Sequence, residues 1–221
     1  MVTSIIVSYD GTTHDDDALA LARMLAATGA TLSLAYVRHS REYDPRREEI
    51  SEHDAARRLE QGAIWLEAPT ITRHIVVDPS TSAGLGRLAA EQGAGLILFG
   101  SDYRTAPGRV EPGGSAQGLL NGGAVAIGVA AAGLRTSADP KIATISVASD
   151  EPDGAASQSA QSLAAALGAE LIGGYDADLI LVDSQAGAQQ GRIALGGSTR
   201  AQLDSARGSV IVLPHGTALS F

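Results

Sequence analysis

The chain repeats part of its own sequence, and this repeat limits the possible folds more than any other feature. Residues 94–130 and 177–213 align without a gap at a constant offset of 83 positions. The shared landmarks are Leu96-Ile97-Leu98 with Leu179-Ile180-Leu181, Ser101 with Ser184, Gly108-Arg109-Val110 with Gly191-Arg192-Ile193, and Gly113-Gly114-Ser115 with Gly196-Gly197-Ser198. Residues 5–10 also resemble residues 145–150, at an offset of 140. Because the offset falls from 140 to 83, the second copy lacks nearly sixty residues in its middle.

The repeat predicts two tandem units, of which the first is complete and the second is truncated. We place the complete unit at residues 1–135 and the truncated unit at residues 141–221, with residues 136–140 as the linker. A remnant of about three or four strands buries little surface, so the second unit is expected to pack against the first. The tandem would then imitate a homodimer within one chain.

Strand-like and helix-like segments alternate along the first unit. Runs of β-branched and aliphatic residues predict strands at 5–9, 31–37, 71–77, 96–99 and 125–129. Helices are predicted after a cap at Thr12 or Thr13 and up to Gly29, over the charged segment 44–67, after a turn and cap at residues 78–81 and up to about Gln92, and from Ser115. In the charged helix, Ile50, Leu59 and Trp65 are the predicted buried face.

The second unit repeats this scheme with strands at 142–148, 170–173, 179–182 and 210–213, and with a helix from about Ala155 to Leu167. Strands that alternate with helices imply right-handed crossovers and a parallel sheet covered on both faces. The predicted fold class is therefore α/β, with an open parallel sheet.

Composition and charge exclude several classes of function. The net charge is −9 with a single lysine, which argues against a nucleic-acid partner because phosphate binding requires clustered Lys and Arg. There is no cysteine, so disulfides and thiolate-bound metals are excluded. No apolar stretch reaches the ~18 residues of a membrane span, and no signal-peptide pattern precedes the first strand. We therefore expect no membrane partner and a cytoplasmic location.

The strongest local signal is a glycine-rich loop between the strand at 96–99 and the short helix after it. This loop contains Gly100-Ser101-Asp102, Gly108-Arg109 and Gly113-Gly114-Ser115. Glycines let backbone amides approach a phosphate closely, and a helix start presents free N–H groups. The loop also follows the carboxyl end of a parallel strand, where ligands of open α/β sheets bind. Arg109 would supply a positive charge to a triphosphate; alternatively, the glycines act only as turn and cap residues.

The order of a strand, Gly-x2-Gly-x9-Gly-Ser/Thr, a short helix and a last strand resembles the universal stress protein family. The opening Val7-Ser8-Tyr9-Asp10-Gly11 is also similar to that family, and the resemblance covers nearly the whole chain as a tandem. It implies the family's Rossmann-like sheet and, in its nucleotide-binding branch, a site for ATP or AMP in the first unit. The implied site residues are Asp10 near the adenine or ribose, Val37 on the base, Phe99 and Gly100 at the floor, and Gly113, Gly114 and Ser115 on the phosphates.

Two residues depart from the pattern of the family. Tyr103 stands where the second glycine of the motif belongs, and Gly114 stands where Ser or Thr is expected, with Ser115 one place later. A bulky Tyr103 would obstruct the phosphates, so Tyr103→Gly is expected to strengthen binding if this obstruction exists.

The second unit keeps Asp150, Gly191-Arg192 and Gly196-Gly197-Ser198, but Asp183 replaces the first glycine of the motif. A carboxylate that points at a phosphate repels it, so no nucleotide is expected there and the unit is interpreted as a pseudo-partner. The last strands of the family often mediate dimerisation. The resemblance therefore implies an interface formed by residues 125–134 and 207–214, within the chain or between two chains.

Three functions remain open at this point. The first is a stress-response module that senses an adenine nucleotide in the first unit, and the second is a nucleotide-free module that acts through dimerisation. The third is a slow ATP hydrolase, which needs a general base that the sequence does not identify. The run His14-Asp15-Asp16-Asp17 is interpreted as the acidic first turn of a helix rather than as a metal site, because acidic residues there complement the helix dipole.

Overall fold

The structure is a computed structural model that describes residues 2–149, 151 and 153–221; Asp150, which the repeat aligns with Asp10, lies outside the described residues. The strands are β1 (Ser4–Ser8), β2 (Thr31–Arg38), β3 (Thr72–Val77), β4 (Leu96–Phe99), β5 (Ala126–Val129), β6 (Thr144–Ala148), β7 (Glu170–Leu171), β8 (Leu179–Asp183) and β9 (Ser209–Leu213). The helices are α1 (Asp15–Ala26), α2 (Pro45–Trp65), α3 (Thr81–Gln92), α4 (Gly114–Leu120), α5 (Ala155–Leu167) and α6 (Gly197–Ser205). In the described part of the chain, no helix combines the length and apolar character that crossing a membrane requires.

The strands form one continuous sheet in the order β3-β2-β1-β4-β5-β9-β8-β6-β7. Each neighbouring pair is parallel except β5 and β9, which run antiparallel. This arrangement confirms the predicted α/β fold with an open, mostly parallel sheet. Below, the first half means β1–β5 with α1–α4, and the second half means β6–β9 with α5 and α6.

Most predicted elements are confirmed to within about two residues at each end, but two local predictions are wrong. Helix α1 begins after His14 and has no cap from Thr12 or Thr13. The Asp10 carboxylate accepts the Thr12 N–H at 2.9 Å, so the chain makes an Asx-type turn before the helix starts. Ile50 is 62% exposed on α2 instead of buried, whereas Leu59 is buried as predicted.

Apolar side chains cover both faces of the sheet. Ile5 and Val7 of β1 belong to one buried cluster, which also contains residues of α1 and α5. Ile6, which lies between them, belongs to the other cluster, under α3 and α4. Successive side chains of a strand point to opposite faces, so this continuous apolar run is what a strand buried on both sides requires.

The two halves meet at β5 and β9 around a local two-fold axis. The paired residues are Ile127 with Val212, Gly128 with Ile211, and Val129 with Val210. Gly128 and Ile211 are equivalent positions of the repeat, 83 residues apart, so they form the central pair. The repeat also makes the pair of Ile127 with Val212 equivalent to the pair of Val210 with Val129. Such reciprocal pairing is the pattern of an isologous two-fold interface. The segments 125–134 and 207–214 therefore lie side by side within one chain.

The loops after β4 and β8 repeat the same hydrogen bonds at the offset of 83. The Ser101 hydroxyl donates to the Ala130 carbonyl at 2.7 Å, and the Ser184 hydroxyl donates to the Leu213 carbonyl at 2.7 Å. Each serine hydroxyl also accepts a backbone N–H ten residues later, from Glu111 in one loop and from Ala194 in the other. The repeated sequence thus specifies a repeated loop geometry, independently of any ligand.

Candidate functional site

A cleft of about 320 Å³ opens at the carboxyl ends of β1, β2 and β4, between these strands and the start of α4. This is where the strand order of the first half reverses direction, which is the usual ligand position in open α/β sheets. Seven of the eight predicted site residues line the cleft: Asp10, Val37, Phe99, Gly100, Gly113, Gly114 and Ser115. The eighth, Arg109, does not.

The floor of the cleft is apolar. Val37, at the end of β2, and Phe99, the last residue of β4, are both buried, with only a small part of each side chain exposed. Ala35 also lines the cleft, two positions before Val37 on the same face of β2. Together these side chains offer the flat apolar surface on which an aromatic ring would pack.

Glycines bring the backbone to the surface of the cleft on two sides. A Cβ at Gly100 would overlap the backbone carbonyl of His14, so only glycine fits where the β4 loop passes the start of α1. At Gly113 and Gly114, by contrast, a Cβ would meet nothing within 4 Å. The absence of side chains there leaves the backbone at the beginning of α4 accessible, and the first N–H groups of a helix have no partner within the helix.

Two carboxyl groups stand together at the rim of the cleft. Asp15 accepts the backbone N–H of Asp10 through Oδ2 at 2.6 Å. Burial, and then the neighbouring Asp10, raise the pKa of Asp15 to about 8. The pKa of Asp10 is lowered: burial opposes the shift, but hydrogen bonds from Asp15 and Thr12 and the charge of Arg58 outweigh it. At neutral pH the pair therefore carries about one negative charge rather than two.

Sequence reasoning did not identify the basic and hydroxyl groups that complete the cleft. Arg58 of α2 donates through Nη1 to the Asp10 carbonyl at 2.5 Å, and its guanidinium lies 5.5 Å from the ring centre of Tyr36. The Nε2 atom of His39 lies 3.0 Å from the Thr81 hydroxyl. His39 and Thr81 directly follow a strand and a helix cap, a position that could have indicated them, whereas Arg58 is indicated only once α2 is seen to pack on β2.

Arg109 contacts the second half of the molecule instead of the cleft. Its Nη1 atom donates to the carbonyl of Ser205 at 3.2 Å and to that of Ala206 at 3.4 Å, at the end of α6. Arg192, its equivalent in the repeat, donates to the carbonyl of Gly122 at 3.2 Å, and Gly122 is in turn the equivalent of Ser205. The two arginines therefore make reciprocal contacts across the local two-fold axis, and the repeated Gly-Arg-Val/Ile marks an interface arginine.

Tyr103 does not line the cleft. Its side chain is 61% exposed, and its ring lies 6.4 Å from that of His14, centre to centre. The Arg104 guanidinium lies over the Tyr103 ring, 4.8 Å from the ring centre. The loop therefore places Tyr103 near His14 at the start of α1, outside the lining of the cleft.

The acidic residues after His14 serve different purposes. Asp17 is fully buried and accepts three hydrogen bonds, from the backbone of Gly133 and from the backbone and guanidinium of Arg135. Asp16 accepts the Tyr9 hydroxyl at 3.3 Å, and burial is the first cause that raises its pKa. Asp17 thus fixes the segment after β5, while Asp15 alone of the three lines the cleft.

In the second half, Asp183 stands in the position of Gly100 and its carboxylate has protein partners. Oδ2 accepts the Ser149 hydroxyl at 2.6 Å, and Oδ1 accepts the backbone N–H of Ala156 at 2.8 Å, in the first turn of α5. A Cβ at Gly154 would overlap Oδ2 of Asp183, so the carboxylate fills the space beside the helix start. The cleft of the first half thus corresponds to a closed contact in the second.

Comparison with known proteins agrees with this fold. A sequence model described as the universal stress protein family matches residues 1–123. A universal stress protein from Archaeoglobus fulgidus DSM 4304 superposes with a TM-score of 0.72 at 13% identity, covering 96% of this chain and 98% of that one. A functionally unknown protein from Pseudomonas aeruginosa PAO1 superposes with a TM-score of 0.62 at 16% identity, covering 97% and 93% of the two chains. None of the curated proteins compared with this chain matches it in sequence.

Proposed function

We propose that this chain, which belongs to the universal stress protein family, is a stress-response module that binds an adenine nucleotide in the cleft of its first half. The observation that carries the proposal is that seven residues from four separate parts of the sequence line one cleft. We also propose that residues 1–135 and 141–221 are two units of one tandem, and that the second is a structural partner without a nucleotide.

The chemistry of the cleft supports an adenine ligand. The base would pack on Val37 and Phe99, and the ribose hydroxyls would donate to the Asp10 carboxylate, whose lowered pKa keeps it an acceptor. The phosphates would approach the bare backbone of Gly113 and Gly114. Because Arg109 is held at the interface, Arg58 and His39 are the basic groups that line the cleft, which favours AMP over ATP.

The first test is to denature freshly purified protein and identify any released small molecule by chromatography and mass spectrometry. Calorimetric titrations of the emptied protein with AMP and ATP then give the affinities. Release of an adenine nucleotide near one equivalent per chain, or saturable binding of AMP, supports the proposal. A protein that releases none and does not respond to either nucleotide contradicts it.

A matched pair of variants locates the site. Gly114→Glu places a carboxylate beside the proposed phosphates, and Gly197→Glu makes the same change 83 positions later. A Cβ at either glycine meets nothing within 4 Å, and a glutamate in the first turn of a helix is favourable, so both variants are expected to fold. Nucleotide binding should be lost in the first variant and unchanged in the second; equal loss would contradict the assignment.

One observation favours a second function, that of a nucleotide-free module whose role is assembly. The β5–β9 pairing and the reciprocal contacts of Arg109 and Arg192 build an interface that does not involve the cleft. If the titrations detect no nucleotide, this becomes the preferred function. Because segments 125–134 and 207–214 pair with each other and are largely buried, they would serve the association of the two halves rather than a contact with another chain.

A further inference from the structure

A second pocket, which we call the junction pocket, lies between the two halves and has a volume of about 580 Å³. It is formed where β5 ends and where β6, β8 and β9 begin. Three basic side chains line it: Arg135, Lys141 and Arg207. None of these residues lines the nucleotide cleft, so the junction pocket is a separate feature of the molecule.

Of the carboxylates at the junction pocket, Asp139 is strongly exposed, whereas Asp178 and Asp17 accept hydrogen bonds from the protein itself. Asp178 lines the pocket, but its Oδ2 accepts the backbone N–H groups of Ala143 and Thr144 and the Thr144 hydroxyl, each within 3.0 Å. Asp17, behind the pocket, accepts three hydrogen bonds, one of which comes from the Arg135 guanidinium at 2.7 Å. These bonds compensate both carboxylates and hold the Arg135 guanidinium in place.

The other two basic groups have few protein partners. The Arg207 guanidinium makes no ion pair or side-chain hydrogen bond with any residue in 2–149, 151 and 153–221. Lys141 lies 3.8 Å from Asp139 Oδ2, longer than a hydrogen bond, and both side chains are strongly exposed. A chain with a net charge of −9 thus places its only lysine and two arginines around one pocket.

The local two-fold axis provides an internal control, because it relates the junction pocket to a second one, which we call the twin pocket. The twin pocket has a volume of about 440 Å³ and is formed by the equivalent segments. At the offset of 83, Ala124 replaces Arg207, Ala218 replaces Arg135, and Gly95 replaces Asp178. The described residues that line the twin pocket include no charged side chain. The sheet junction can therefore be built without these charges.

We propose that the junction pocket binds a small anion that carries phosphate groups. Arg207 supplies a guanidinium with no ion-pair partner among the described residues, and Lys141 supplies an ammonium that lies 3.8 Å from the strongly exposed Asp139 carboxylate. Arg135 supplies a guanidinium already oriented by Asp17. Guanidinium groups match the geometry of phosphate oxygens, and hydrogen bonds between ionised partners are about twice as strong as neutral ones. This proposal does not depend on nucleotide binding in the cleft.

The test uses the full chain and pyrophosphate as the probe, titrated by calorimetry at constant ionic strength. The double variant Lys141→Gln/Arg207→Gln removes two charges from the pocket, and Arg46→Gln/Arg57→Gln removes two exposed charges from α2 as a control. The dissociation constant for pyrophosphate should rise at least about tenfold in the first variant and less than about twofold in the control.

Three results would overturn the proposal. One is an absence of pyrophosphate binding to the unaltered protein, and another is an equal weakening in both double variants, which would reflect net charge alone. The third is a loss of pyrophosphate binding in Gly114→Glu, because the probe would then occupy the cleft. All four side chains removed in the two double variants are exposed, so circular dichroism is expected to show unchanged folding in each variant.

Discussion

Gly100 in the first half and Asp183 in the second half are equivalent positions at the ends of β4 and β8. The space beside Gly100 stays open, whereas the carboxylate of Asp183 fills the space beside it. Gly100 has no side chain, passes directly against the His14 carbonyl and leaves a cleft between β1, β2 and α4. Asp183 turns its carboxylate towards the start of α5, where Ala156 and Ser149 donate to it. Glycine at this position thus leaves the carboxyl ends of the strands accessible, whereas aspartate binds a neighbouring helix through its carboxylate.

This difference separates two properties that the repeat carries together. The loop hydrogen bonds of Ser101 and Ser184 and the interface contacts of Arg109 and Arg192 are the same in both halves. They maintain the loop and the junction and require no ligand. Under the proposed function, a nucleotide is expected only in the half that keeps glycine at the end of its strand and retains α2, β3 and α3.

The largest expected effect comes from transferring the residue of the second half into the first. Gly100→Asp should lower nucleotide affinity by at least about 100-fold, because the new side chain would displace the start of α1, where Asp15 lines the cleft, and would add a negative charge at the cleft floor. The Cβ overlap with His14 is also expected to cost about 1–3 kcal/mol of stability. Calorimetry, with denaturation curves to confirm folding, measures both. If Gly100→Asp retains its nucleotide affinity, the residue at this position does not determine which half binds a nucleotide.

Removing the carboxylate from the equivalent position of the second half should affect stability and leave binding unchanged. Asp183→Ala removes the acceptor for the Ala156 N–H and the Ser149 hydroxyl, so the free energy of unfolding should fall by about 1–2 kcal/mol. Urea denaturation measures the change. Because the carboxylate acts as a helix cap rather than in ligand binding, nucleotide affinity should stay within about twofold. A large loss of affinity would mean that the halves are coupled.

The acidic pair at the cleft predicts a dependence of stability on pH that originates in the first half. Burial raises the pKa of Asp15 to about 8 in the folded chain, whereas an unfolded Asp titrates near about 4. The unfolded state therefore loses this proton first, and the free energy of unfolding should decrease as the pH rises between these two values. Asp15→Asn should reduce the slope over that range, as measured by urea denaturation at several pH values. An unchanged slope would assign the proton to another group.

The smallest expected effect concerns the reciprocal arginines. Arg109→Gln and Arg192→Gln should each lower the free energy of unfolding by about 0.5–1.5 kcal/mol, because each removes a hydrogen bond to a backbone carbonyl across the junction. Nucleotide affinity should be the same in both variants and in the unaltered protein. A loss of nucleotide affinity in Arg109→Gln but not in Arg192→Gln would contradict this expectation and indicate that Arg109 contacts the phosphates.

The sequence predicted the sheet class and the location of the cleft for identifiable reasons. Strands β1 and β4 are short aliphatic runs followed by Tyr9-Asp10-Gly11 and by Gly100, and ligand positions at the ends of parallel strands follow from the fold class alone. The bounds of strand β4 agree with the prediction, and helix α3 starts within the predicted turn and cap at residues 78–81, where Ser80 is the cap, because these start and stop residues are local signals.

The missed residues depend on long-range packing. Arg58 reaches the cleft only because α2 lies across β2, which the sequence of α2 does not specify, since its charged positions are spread around the helix. Ile50 was predicted to be buried from its apolar character, but it lies near the exposed start of α2. Arg109 was assigned to the phosphates from its position in a glycine-rich loop. Its repetition as Arg192, in the half with no expected nucleotide, was the signal for a structural role.

The most direct test of the comparison is to follow the backbone amides of isotope-labelled protein by NMR while AMP is added. Saturable shifts are expected at Gly100, Gly113 and Gly114, and none of comparable size at Gly196 and Gly197, the counterparts of Gly113 and Gly114 in the second half. Shifts of equal size at both sets of glycines, or shifts confined to the second half, would contradict the central claim that only the first half binds a nucleotide.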